Sequence, residues 1–276
     1  MHWTKLHPDR ATGWSHETLR RGAVTILLAA LVLALPVAVP AQAVVRIAAY
    51  NMKHGRGMDD EVDLPRIARV LIALDADVIT LQEVDDRTER TNGIDQVAVL
   101  AELLGYQGVH GPHRPYQGGY YGNAILTRLS IQTERTHAIP PASGSPLSVH
   151  EVEVGIDGSA AGVLSVVSVH LAGSETERMA QADSVTSYFG RQVNPVVLAG
   201  DFNGRPGSPV LVRLEQDWTI AVKAGPRFTY PSDEPDREID FVMVRPSDEV
   251  DVLSHTVIRE SMASDHRPIL VELRIR

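Results

Sequence analysis

Apolar residues fall in short runs along this chain, and the period of the runs switches between two and about three and a half. Residues 45–50 read as a strand that ends at Asn51. After the turn 51–57, Asp63 stands as an N-cap and Pro65 sits near the first helical turn. Ile67, Val70, Leu71 and Leu74 share one face, which predicts a helix over about residues 64–74. Residues 77–82 read as a buried strand that delivers Glu83 at its end. A strand, a crossover helix and a second strand of this size imply parallel pairing in a sheet covered by helices.

Residues 96–104 give a second helix, stopped by Gly105. Residues 118–122 read as a glycine-aromatic loop before a strand at 123–127, and 140–146 as another loop. The runs 149–156 and 161–170 form a strand pair joined through Asp157-Gly158. A helix over 175–189, a short buried strand over 196–199 and a short helix near 209–214 follow. Three strands, near 239–244, 250–258 and 268–275, close the chain. Strands dominate and helices fall between some of them, which predicts a layered α/β or α+β domain with two packed sheets, not a barrel.

Polar residues stand at the ends of these apolar runs. Asp201 and Asn203 follow the 196–199 strand two residues apart, so in an extended segment they point to the same side. A carboxylate can hold or deprotonate a water, and an amide can donate to a phosphate oxygen. Asn51, Glu83, His170, Asp240 and the pair Asp265-His266 occupy comparable positions. Each has an ordinary explanation: an Asx turn at Asp201, a solvated strand end at Glu83, a core histidine at His170, a satisfied turn carboxylate at Asp240, a capping turn at 264–266. Gathered on one rim of a sandwich, they form a cleft with coherent chemistry. Glu83, Asp265 and Asn51 are hard oxygen donors suited to Mg²⁺ or Mn²⁺. The two histidines can serve as acid, base or phosphate donor, and Asp240 can orient His266. The set fits metal-assisted phosphoester hydrolysis.

The N-terminus and the charge narrow the setting. Arg20-Arg21 precede an uncharged, mainly Ala, Leu and Val run that ends at Pro36 and Pro40, and Ala41-Gln42-Ala43 is a small-x-small site. Residues 1–43 therefore read as a signal peptide cut after Ala43, leaving a mature domain of 44–276 that is secreted or extracytoplasmic. The alternative is an uncleaved membrane anchor of one short helix; the run is near the lower length limit for a span and carries a proline, which favours cleavage. The net charge is −9 at pH 7. Residues 1–43 hold four basic and two acidic groups, so the mature chain is more acidic still. That surface argues against a high-affinity, sequence-reading nucleic-acid binder, but not against an enzyme whose bound cation supplies local positive charge. There is no cysteine, which excludes disulfides, thiolate metal sites and a cysteine nucleophile.

Seven segments carry a resemblance. Ala49-Tyr50-Asn51, Leu81-Gln82-Glu83-Val84, Tyr121-Gly122-Asn123-Ala124-Ile125-Leu126, Ser168-Val169-His170-Leu171, Gly200-Asp201-Phe202-Asn203, Ile239-Asp240-Phe241-Val242 and Ser264-Asp265-His266-Arg267-Pro268 resemble, in this order, the motifs of the endonuclease/exonuclease/phosphatase superfamily. These are the DNase-I-like metal-dependent phosphohydrolases. The resemblance runs from about residue 45 to 274, and the ordered set specifies the superfamily, not the substrate. It implies a four-layer α/β sandwich with two central mixed β-sheets flanked by helices. It also implies Mg²⁺ held chiefly by Glu83, with Asn51 and Asp265 nearby. By the same likeness Asp201 orients or activates the attacking water, Asn203 and His170 bind the phosphate, and Asp240 and His266 act as acid/base or transition-state donor. Asn123 lines the cleft or supports the loop beside it. Two departures stand out: Glu238 precedes Ile239 where relatives often carry a basic residue, and no arginine lies between Pro140 and Val149.

The implied partner is a phosphoester: nucleic acid, phospholipid such as sphingomyelin, or a small phosphate ester. The chain has no long basic insertion for a duplex backbone and no evident apolar hairpin for a membrane, and a short domain leaves an open cleft. Phosphodiesterase or nuclease activity is therefore the leading expectation, by a monomer with no obligate protein partner. The competing class is a non-catalytic binding module on the same fold, against which the intact Glu83, Asp201, Asn203, Asp240 and His266 argue.

Overall fold

A computed structural model describes residues 42–276; the expected signal segment 1–43 lies outside them except for its last two residues. Two six-stranded mixed sheets make up the centre. The first contains β1 (Ala43–Asn51), β2 (Val78–Asp86), β3 (Gln107–Tyr116), β4 (Gly119–Thr127), β11 (Val250–Val257) and β12 (Ile269–Ile275), in the order β11-β12-β1-β2-β4-β3. The second contains β5 (Ile131–Ala142), β6 (Ser145–Gly155), β7 (Val163–His170), β8 (Val196–Asp201), β9 (Thr219–Ile220) and β10 (Asp240–Arg245), in the order β5-β6-β7-β8-β10-β9. β1 and β2 pair in parallel, as the crossover helix between them requires, and so do β7 and β8.

Three separate apolar cores define four layers. Val45, Ile47, Ala49, Val271 and Leu273 of the first sheet meet Val152, Leu164, Val166, Val197 and Val242 of the second. The alternate residues of the first sheet, Ala48, Tyr50, Ile79 and Leu81, pack under α1 (Leu64–Leu74) and α2 (Gln96–Leu104). Those of the second, Val169, Leu198, Phe241 and Met243, pack under α3 (Glu175–Phe189) and α4 (Pro209–Glu215). Strands buried on both faces read as continuous apolar runs, which is how β8 looks in the sequence. The first helix starts where the expected cap stands, the Asp63 side chain accepting from Arg66 N at 2.8 Å; the second is capped by Asp95, whose side chain accepts from Ala98 N at 3.0 Å.

The expected four-layer sandwich is the observed fold, with two local corrections. The glycine-aromatic run 118–122 is not a loop but mostly strand, since β4 begins at Gly119. A Cβ on Gly122 would lie 2.2 Å from Gly111 O, so only glycine lets β3 pair this closely. The expected loop 140–146 is the tip of the β5–β6 hairpin, whose strands reach Ala142 and resume at Ser145.

Candidate active site

The two-residue alternation that builds the central core also builds the site. On β1, Val45, Ile47 and Ala49 face the other sheet, so the next residue in phase is Asn51. On β7 the inward series Leu164, Val166 continues to Ser168 and His170. On β8, Val197 and Ala199 are followed by Asp201, and on β10, Val244 and Val242 are preceded by Asp240. The register then collects these ends: Asp201 pairs with His170 on one side and Asp240 on the other. Gly200 has φ +147°, and a Cβ there would sit 2.0 Å from Val169 O, so glycine is required where β8 opens into the site.

Glu83 breaks the alternation. Leu81 pairs with Ala124 and Val84 with Gly122, so Gln82 and Glu83 together face one residue of β4. Leu81 and Val84 both remain under the helices. The bulge, with Glu83 at φ +59°, turns its carboxylate toward Asn51.

Asp201 is the hub, 1% exposed. Its Oδ2 has Asn51 Nδ2 at 3.2 Å, Asn203 Nδ2 at 3.3 Å, His170 Nε2 at 3.8 Å and His266 Nε2 at 3.8 Å. Its Oδ1 accepts from Asn203 N at 2.8 Å, so the Asx turn is present as well. Asn51 Nδ2 also donates to Glu83 Oε1 at 3.1 Å, while its Oδ1 accepts from Lys53 N; Asn51 therefore ties the two sheets together as a donor. Asn203, at φ +48°, donates to Leu171 O at 2.8 Å.

His266 precedes β12 in a turn fixed by Ser264, whose Oγ donates to Asn51 O at 2.7 Å. His266 Nδ1 donates to Asp240 Oδ2 at 3.0 Å. Burial disfavours the imidazolium, but the charges of Asp240, Asp201 and Asp265 outweigh it and push the His266 pKa up to about 10. Burial raises the proton affinity of Asp201, with Asp240 adding to it and His266 opposing. Asp201, Asp240 and His266 also form a compact set of potential ligand atoms, although Asp240 and His266 are already engaged with each other.

Two of the expected residues stand slightly apart. Asp265 Oδ2 is paired with Lys53 Nζ at 2.9 Å. Asn123 is fully buried behind the cleft and donates to Ser168 O at 3.0 Å, bracing sheet to sheet.

Sequence reasoning missed several neighbours. Lys53, which balances Asp265, lay in a stretch read only as a turn. His113 of β3, whose ring lies 6.4 Å from that of His170, hid in a proline-flanked segment with no strand pattern. Lys223 is buried and donates to Glu238 Oε1 at 2.9 Å and to Asp240 O at 2.7 Å. It accounts for the acidic residue at 238: Glu238 anchors this buried cation.

This layered fold carries a carboxylate–histidine rim drawn from both sheets. The model of the endonuclease/exonuclease/phosphatase family matches residues 48–266, and the chain belongs to that family. The uncharacterised protein YbhP of Escherichia coli is 24% identical over 227 residues, covering 77% of this chain and 88% of its own. A crystal structure of an endonuclease/exonuclease/phosphatase from Beutenbergia cavernae is 25% identical with a TM-score of 0.66, over 84% of this chain and 72% of that one. The mannosyl-6-phosphatase Bt3783 of Bacteroides thetaiotaomicron shares the fold at 19% identity, with a TM-score of 0.62 over 83% of this chain and 99% of its own.

Proposed function

We propose that this protein is an exported, Mg²⁺-dependent phosphoesterase that hydrolyses phosphodiester bonds by attack of water, with Mn²⁺ as a substitute ion. The observation that carries the reading is the convergence of Asn51, Asn203, His170 and His266 on one oxygen of Asp201, all within 3.8 Å. Family membership supports the reaction class.

The donor set fits a hard divalent cation. Glu83 stands half-buried at the mouth, and its Oε2 makes no hydrogen bond among the described residues. Glu83 would hold the ion, with Asn51 and Asp265 beside it. When bound, the ion supplies Lewis-acid polarisation of a phosphoryl oxygen. The chain's own groups do the rest. Asp201 orients the attacking water and takes its proton. His266, held by Asp240, keeps Nε2 turned to the cleft to donate to the phosphoryl group or the leaving oxygen. His170 presents a second ring nitrogen on the other side of Asp201, and the Asn51 and Asn203 amides fix the Asp201 carboxylate.

Turnover of a chromogenic diester, its loss in chelator and its return with Mg²⁺ or Mn²⁺ test this reading. For export, mass spectrometry of the protein recovered from cells is expected to find Val44 as the N-terminus; an intact 1–43 segment would support the membrane-anchored alternative.

A further inference from the structure

One guanidinium at the rim has no role in the chemistry above, and the backbone is shaped to present it. β3 pairs with β4 through Pro112 with Gly122 and then Arg114 with Tyr121, leaving His113 as an extra residue. This bulge mirrors the one at Glu83 on the other side of β4. It lets consecutive residues serve the inter-sheet side. His113 Nδ1 meets Ser148 Oγ of β6 at 2.9 Å, and the Arg114 guanidinium lies over the Tyr121 ring at 4.7 Å and the Tyr116 ring at 5.8 Å. Tyr121 packs edge-on against His113, with centroids 5.7 Å apart, and His113 neighbours His170. Arg114 therefore stands two rings away from His170.

A second arginine stacks on the same tyrosines, but its charge is taken. Arg90 lies 4.8 Å from the Tyr116 centroid, and its Nε and Nη2 donate to the two oxygens of buried Asp85 at 2.7 and 2.8 Å. Arg114 forms no hydrogen bond or ion pair among the described residues, although it is half-buried in a chain of net charge −9. Its guanidinium carbon lies over the two aromatic rings, while its planar fork of donors is uncommitted. Such a fork matches the paired oxygens of a phosphate, and stacking pre-orders it at small entropic cost. The rings of Tyr121 and His113 lie between it and His170, which places it to one side of the Asp201 centre.

Resting on the phosphoesterase reading, we propose that Arg114 is a specificity residue that binds a second phosphate of the substrate, distinct from the one hydrolysed. The preferred substrate then carries two phosphates. A nucleotide strand has this chemistry in its neighbouring phosphate, and a doubly phosphorylated small molecule has it in its second ester.

The test is calorimetric binding to the full-length protein carrying Asp201→Asn, in Mg²⁺, with two ligand pairs. One is a thymidine dinucleotide with and without a 5′-phosphate; the other is glucose 1,6-bisphosphate and glucose 6-phosphate. The added phosphate is expected to tighten binding in one pair by about tenfold to a hundredfold, the range of charge-assisted hydrogen bonds. That pair identifies the source. Adding Arg114→Gln removes the gain, and Arg114→Lys keeps only part of it because an ammonium has no fork. No gain in either pair, or a gain that survives both substitutions, overturns the proposal. Hydrolysis of a one-phosphate chromogenic diester by the unsubstituted protein tests the phosphoesterase reading separately, so the two can fail independently.

Discussion

His266 and Asp240 share a hydrogen bond of 3.0 Å between a turn entering the first sheet and the first residue of a strand in the second. The ring is thus oriented by both sheets at once. If it acts as donor with Asp240 as its guide, His266→Ala loses about 10² to 10⁴ in kcat/KM. Asp240→Asn loses a large part of the same factor, because the ring is freed or takes the wrong tautomer. The double variant is little worse than His266→Ala alone, since the two act as one unit. Losses that multiply would mean independent roles.

Glu83 is turned toward Asn51 by the bulge in β2, and its Oε2 makes no hydrogen bond among the described residues. Glu83→Gln keeps the size and removes the charge. Calorimetric titration with Mn²⁺ should show markedly weaker binding, and the metal-dependent rise in thermal midpoint should shrink with it. Unchanged Mn²⁺ affinity would remove Glu83 from the ion's ligands.

Much of this arrangement was legible in the sequence, and the failures share a cause. Asn51, His170, Asp201 and Asp240 continue the inward phase of buried strands, so reading where each apolar run ends was enough to find them. β3 and β5 escaped because they are edge strands, where polar residues and prolines such as Pro112, Pro115 and Pro140 replace an alternating pattern. His113 and Arg114 were lost with β3. Lys53 and Lys223 escaped for a different reason: each is defined by a carboxylate distant in sequence, Asp265 and Glu238, and no local period announces such a pair.

The Lys223–Glu238 pair lies behind Asp240 and is nearly inaccessible on both sides. Burial lowers the proton affinity of the Lys223 amine, and Glu238 resists the shift. Lys223→Met leaves the buried Glu238 carboxylate with only the exposed Arg227 guanidinium, 3.7 Å away, and releases Asp240 O, so chemical denaturation should show a loss of up to about 3 kcal/mol. Adding Glu238→Leu should recover most of that stability. Failure of the second change to rescue the first would mean that Lys223 stabilises the fold through something other than this pair.

Stability should fall on the acid side in two steps. Burial pulls the pKa of His255 down to about 4, and burial with neighbouring histidines does the same for His150. Unfolded histidines near 6.5 bind protons that these folded ones refuse, so their contribution is complete above about pH 6.5 and is lost as pH falls toward 4. Glu151 is held down at about 2 despite its burial by hydrogen bonds from His137, Ser165 and Gln192; its contribution is lost from about pH 4.5 downward. His255→Gln keeps a donor for Ala221 O, to which Nδ1 donates at 2.7 Å, but cannot titrate. Denaturant unfolding between pH 4 and 6.5 should then show a slope shallower by up to about 1.4 kcal/mol per pH unit. An unchanged slope would mean that His255 titrates normally.

The central claim is that Asp201 organises a metal-dependent hydrolytic centre. Its most direct test is the steady-state hydrolysis of bis(p-nitrophenyl) phosphate by the unsubstituted protein and by Asp201→Asn, each in Mg²⁺ and in chelator. The account predicts turnover by the unsubstituted protein that chelator abolishes and added Mg²⁺ restores, and a loss of about 10² to 10⁴ in Asp201→Asn with the fold intact. Turnover by Asp201→Asn at the unsubstituted rate, or none by the unsubstituted protein in Mg²⁺ or Mn²⁺, would contradict it.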